Sequence, residues 1–108
     1  MREPKLYLKD ILEAAEAIEG FVEGMGYEEF VSNDLVTSAV IRKLEIIGEA
    51  AKKVPEEIKQ KFSEVPWKEM AGIFGVKYDL VWQTIKRDIP EVKSAIREIL
   101  NELEEVRK

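Results

Sequence analysis

One hundred and eight residues, 45% hydrophobic and 36% charged with a net charge of −5, describe one helix-friendly domain long enough to bury a core. Histidine and cysteine are both absent, which excludes a histidine general base, a His- or Cys-ligated metal, a Ser-His-Asp triad, a thiolate nucleophile and a disulfide framework. The acidic balance leaves no global basic footprint for nucleic acid, so an RNA contact has to be local or built at a dimer cleft, and a basic partner surface fits equally well.

The N-terminal MREPKLYLKD carries no apolar leader. No window approaches the roughly 18 apolar residues of a membrane span, so the expected location is cytoplasmic, without a membrane partner. Leu8, Ile11, Ala15, Ile18, Val22 and Met25 recur at three- and four-residue steps and predict a first amphipathic helix, closed by Gly24 and Gly26. A short polar-aromatic segment from Tyr27 to Val31 leads to Ser32-Asn33-Asp34, a cluster of good N-cap residues.

The second long helix runs from there to about Lys53. Its apolar positions, from Val36 through Val40, Leu44, Ile47 and Ala51 to Val54, cover an arc wide enough to predict burial on two sides. Lys43 points into that arc. Lys52 and Lys53 suit the negative end of the helix dipole. Pro55 and Pro66 each open a short helix, PEEIKQKF and PWKEMAGI. A helix resumes past Gly75 through Leu80, Val81, Trp82 and Ile85, and Asp88-Ile89-Pro90-Glu91 reads as the start of a separate final helix. Val92, Ile96, Ile99, Leu103 and Val106 carry that helix to the end. Nothing reads as a strand. The expected fold is all-α, a compact up-and-down bundle of four to six helices forming a single domain over residues 1–108.

Four segments in order, YLKDILEAAEAIEGF (7–21), AVIRKLEIIGEAAKKV (39–54), VPWKEMAGI (65–73) and FGVKYDLVWQTIKRDIP (74–90), resemble the HepT-like (DUF86) branch of the HEPN superfamily, the toxin half of HEPN/MNT toxin–antitoxin pairs. The resemblance implies a helical homodimer acting as a metal-independent RNase, neutralised by an MNT-type nucleotidyltransferase antitoxin, with no cofactor and no metal. It also implies an R-x-x-x-x-H-x-Y motif between the AG-aliphatic and F-G-V elements. There the Arg would stabilise charge on the scissile phosphate, the His would move the proton, and the Tyr would receive AMP from the antitoxin.

In this chain Ile73 runs directly into Phe74, and the eight positions of that motif are missing. No catalytic residue can therefore be carried over. Lys77 also departs from the family, which tends to have an Asp there to cap the next helix. Three origins stand open: further residues in the cellular protein, an introduced deletion, or a natural inactive paralogue. The first keeps the RNase toxin reading, with RNA as substrate. The last makes the chain a catalytically inactive dimerisation and partner-binding module.

Arg42, Glu45 and Glu49, at i, i+3 and i+7, share one helical face. They read either as a solvated face with a weak ion pair or as polar residues lining the active cleft. Trp67 and Trp82 read as core anchors rather than base-stacking platforms, and Tyr7, Tyr27 and Tyr78 as packing or rim residues.

Overall fold

The computed structural model describes residues 3–72 and 78–107, helical along most of their length and without a strand. The Ile73–Phe74 junction and Lys77 lie outside the described residues.

Three long helices dominate: α1 (Pro4–Phe21), α3 (Asp34–Lys53) and α7 (Ile89–Arg107). Between them stand three six-residue helices, α2 (Tyr27–Ser32), α4 (Glu56–Lys61) and α5 (Trp67–Gly72), and α6 (Tyr78–Gln83) precedes α7. Helix α1 packs against both α3 and α7. Its Leu8, Ile11, Ala15 and Ile18 are wholly buried, as the three- and four-residue spacing requires. The ion pairs Glu16–Arg97, Glu19–Lys93 and Lys5–Glu104 run in opposite order along α1 and α7, so these two helices are antiparallel.

The two-sided arc of α3 is real: α1 covers one part of it and α5 another. Val40, Leu44, Ile47, Ala50, Ala51 and Val54 are buried, and Lys43 is half-buried, as a lysine is when its stem covers apolar surface. Asn33 is the N-cap, its Oδ1 accepting from the Val36 N–H at 3.0 Å. Thr37, buried one turn on, donates from Oγ1 to the Asp34 carbonyl.

The first helix ends earlier than its apolar stripe suggests. Val22 is its C-cap, and Gly24 then takes φ of 77°, a left-handed conformation that glycine adopts at least cost. The polar-aromatic segment after it is a helical turn, α2, because the Glu29 carboxylate accepts from the Gly26 N–H and Phe30 is driven into the core. Around Phe30 the rings of Tyr78 and Trp82 close at 6.4 and 5.1 Å, tying α2 to α6.

The separate start expected at Asp88 does not occur. Gln83 and Ile89 both have helical backbone angles, and a π-turn over Thr84–Asp88 joins α6 to α7 without a break. The cause is Pro90. Lacking an N–H and crowding the carbonyl four residues back, it would break a regular helix. A turn in which the Ile89 N–H reaches the Thr84 carbonyl, five residues back, absorbs that misfit.

Replacing Asn33 with Ala removes the acceptor for the Val36 N–H. The expected cost is about 1 kcal/mol, a fall of roughly 4–8 °C in Tm for a domain near this size, to be read by thermal unfolding followed by circular dichroism. An unchanged Tm would show that α3 does not depend on this cap.

Candidate functional site

On α3 the solvent face opposite the core carries Arg42, Glu45 and Glu49, all exposed. Arg42 Nη1 stands 3.6 Å from Glu45 Oε1, with both side chains more than half accessible to solvent. An i, i+3 pair in that setting is worth only a few tenths of a kcal/mol, because water and salt screen it. Glu49 lies one further turn along the same face, outside that pair. This exposure fits a solvated face and equally a face that would line a cleft between two copies.

The tryptophans behave as packing residues. Trp67 is buried and its Nε1–H donates to the Phe62 carbonyl at 3.1 Å, tying the start of α5 to the end of α4. Trp82 packs on Phe30, meets the Tyr27 ring edge-on at 6.1 Å, and is covered by Lys86 Nζ at 4.8 Å from its centroid. A base stacking on Trp82 would have to displace that ammonium. Tyr7 and Tyr78 are partly buried against the core, and Tyr27 sits at the rim.

Two concavities were not legible in the sequence. An open groove of about 760 Å³ lies between the end of α3, α4 and α5, lined by Lys52, Lys59, Ser63, Trp67 and Lys68 among others. A smaller apolar cavity of about 160 Å³ lies where Leu44, Ile47, Met70, Ile89 and Val92 meet, with Thr84 and Asp88 of the π-turn at its edge. No single element signals either one, since each is formed by residues from three parts of the chain. Neither holds a nucleophile–base pair. Among the described residues no three carboxylates gather to hold a metal ion, and with no histidine anywhere the chain offers no ordinary proton carrier at neutral pH.

A family model described as ribonuclease HepT-like matches residues 11–99. The chain belongs to the HepT-like family. A Methanocaldococcus jannaschii protein provisionally named an RNase is 45% identical, the match covering 96% of this chain and 97% of that protein. A provisionally named RNase of Caldanaerobacter subterraneus is 44% identical, with 93% and 96% covered. A Thermococcus cleftensis protein carrying the ribonuclease HepT name is 42% identical, with 91% and 96% covered. No solved structure matches.

The three alignments share a further property. The Methanocaldococcus alignment runs over 112 positions, whereas 96% of 108 residues is about 104. The Caldanaerobacter alignment runs over 108 positions against about 100 residues (93% of 108), and the Thermococcus one over 106 against about 98 (91% of 108). Each time, about eight aligned positions hold no residue of this HepT-like chain.

Because the Arg42–Glu45 pair is exposed, the double variant Arg42→Ala/Glu45→Ala is expected to shift stability by no more than about 0.5 kcal/mol. Urea unfolding checks this. A loss several times larger would show that the pair is held by more than solvent-screened attraction.

Proposed function

We propose that this chain is a homodimeric, cytoplasmic HepT-like subunit of a HEPN/MNT toxin–antitoxin pair that binds its nucleotidyltransferase partner but does not itself cleave RNA. The observation that carries this reading is the shortfall of about eight positions against three separate relatives, in a chain with no histidine. Eight is the length of R-x-x-x-x-H-x-Y, and the junction at Ile73–Phe74, between AGI and FGV, is where that motif would fall.

Without it, attack of a ribose 2′-hydroxyl on the neighbouring phosphate lacks both of the groups it needs. No imidazole takes or returns the proton, and no guanidinium at that position offsets charge on the phosphate. In this reading Arg42, Glu45 and Glu49 line the cleft between two copies, as the remaining polar frame of a site whose reacting groups are gone. The tyrosine that would receive AMP is gone as well, so in this reading partner binding does not involve that modification.

A second reading, an active RNase toxin, draws on the RNase names of the relatives. It requires the eight residues to be present in the cellular protein. Intact mass decides first: the inactive reading requires 12.4 kDa, and the active one a mass larger by eight residues.

At 12.4 kDa the purified protein is expected to leave RNA intact in the presence of EDTA, with the Thermococcus relative as the active comparison. Inserting an eight-residue R-x-x-x-x-H-x-Y segment between Ile73 and Phe74 is expected to confer cleavage, and the same insert with Ala for its His is expected not to. Cleavage that follows the uninserted protein through successive columns would overturn the inactive reading.

A further inference from the structure

The negative charge of this protein is not spread along the chain. The 32 residues from Asp10 to Ile41 hold eight carboxylates and no Lys or Arg, so the remaining 76 residues sum to +3 against a total of −5. Part of that acidic excess is matched inside the fold, where Glu16 and Glu19 pair with Arg97 and Lys93 of α7. Asp10 and Glu13 lie mid-way along α1, and the other four gather at the corner where α1 ends and α2 and α3 begin, with Glu23, Glu28 and Asp34 exposed there and Glu29 accepting from the Gly26 N–H.

The same corner presents apolar side chains to water. Tyr27 and Val31 follow one another at i, i+4 on the outer side of α2, 38% and 36% exposed, while Phe30 fills the inner side. Leu35, in the first turn of α3, is 81% exposed, the largest value among the exposed large apolar residues. Tyr27 also meets the Trp82 ring edge-on, but Val31 and Leu35 add two further exposed apolar side chains within nine residues of one corner, more than the scattered single leucine that is ordinary at a surface.

The corner is rigid for stated reasons: Asn33 caps α3, Glu29 caps α2, and Phe30 is locked by Tyr78 and Trp82. A surface already ordered loses little entropy on binding.

We propose that this corner is a docking surface for a basic amphipathic helix of another protein, its apolar stripe on Tyr27, Val31 and Leu35 and its Lys or Arg residues toward Glu23, Glu28 and Asp34. The charge decides the occupant. RNA would meet Glu23, Glu28 and Asp34 with Lys86, held over the Trp82 ring, as the neighbouring cation, whereas a cationic helix gains from the carboxylates and the apolar side chains together. This assignment stands apart from whether the chain cleaves RNA, since it uses none of the residues around the Ile73–Phe74 junction.

The test uses the full chain and a synthetic helical peptide of Leu and Lys, with a Leu/Glu peptide of the same pattern as counterpart, followed by fluorescence anisotropy at low and high salt. The Leu/Lys peptide is expected to bind more tightly than the Leu/Glu peptide. Val31→Ser/Leu35→Ser and Glu23→Lys/Glu28→Lys should each weaken it by about tenfold or more. The control Glu57→Lys/Glu98→Lys changes net charge equally at exposed positions on α4 and α7 and should leave binding within about twofold of the parent. Circular dichroism melts confirm that each variant is folded. Equal weakening by the control would reduce the effect to net charge and overturn the proposal. So would unaltered binding by the two corner variants. If sedimentation shows that Val31→Ser/Leu35→Ser abolishes a dimer formed by the parent, the corner belongs to a second copy, and the proposal fails for that reason.

Discussion

Everything in this fold depends on α1 being buried from two sides. A helix with solvent on one face needs an apolar stripe only, but α1 lies against both α3 and α7 and must offer each a surface. It does so with branched residues at Leu8, Ile11 and Ile18 and with Ala14 and Ala15 between them, small enough for neighbouring helices to approach. Its edges are then closed by charge. Glu16 and Glu19 reach Arg97 and Lys93, and Lys5 reaches Glu104, so polar contacts border the α1–α7 seam and fix its antiparallel sense. These pairs add little free energy at the surface. Their value is in register: sliding α7 by one turn would separate all three at once.

Much of this was legible in the residues. The spacing of Leu8, Ile11, Ala15 and Ile18 and the broad arc of α3 follow from the period of the helix, and the Asn33 cap follows from what its side chain can accept. The misses have two physical origins. Periodicity sees a helix only over several turns, so the six residues of α2 were too few, and their order comes from the Phe30–Tyr78–Trp82 cluster across the chain. Proline is common in the first turn of a helix, and no sequence pattern distinguishes that setting from the π-turn that accommodates Pro90 here. The exposed setting of Arg42, Glu45 and Glu49 fits either of the readings their spacing allowed, since a face that would line a cleft between two copies is open to solvent in one.

The relation between fold and chemistry is unusual in its separation. The family match spans residues 11–99, most of the chain. In the proposed reading, the chemistry of an RNase of this kind would rest on eight residues, a little over two helical turns. The core joins α1 to α3 and α7, and α3 to α5, through residues distributed along the chain, and identity above 40% to proteins named RNases stands beside a chain that has no histidine.

The π-turn over Thr84–Asp88 has a consequence for how one helix can serve one face over a long distance. Along α6 and α7 the buried residues Val81, Ile85 and Ile89 are separated by two consecutive four-residue steps before the spacing becomes 3-4-3 through Val92, Ile96 and Ile99. In a regular helix each four-residue step overshoots a full turn by roughly 40°, so two in succession would carry Ile89 roughly 80° from Val81, toward the edge of an apolar stripe. A turn closed by a bond to the fifth residue back is locally unwound, each residue rotating the chain through a smaller angle. The overshoot is cancelled where it would accumulate. The same turn that accommodates Pro90 therefore acts as a phase corrector, and it brings two helical segments of different register to bear on one core.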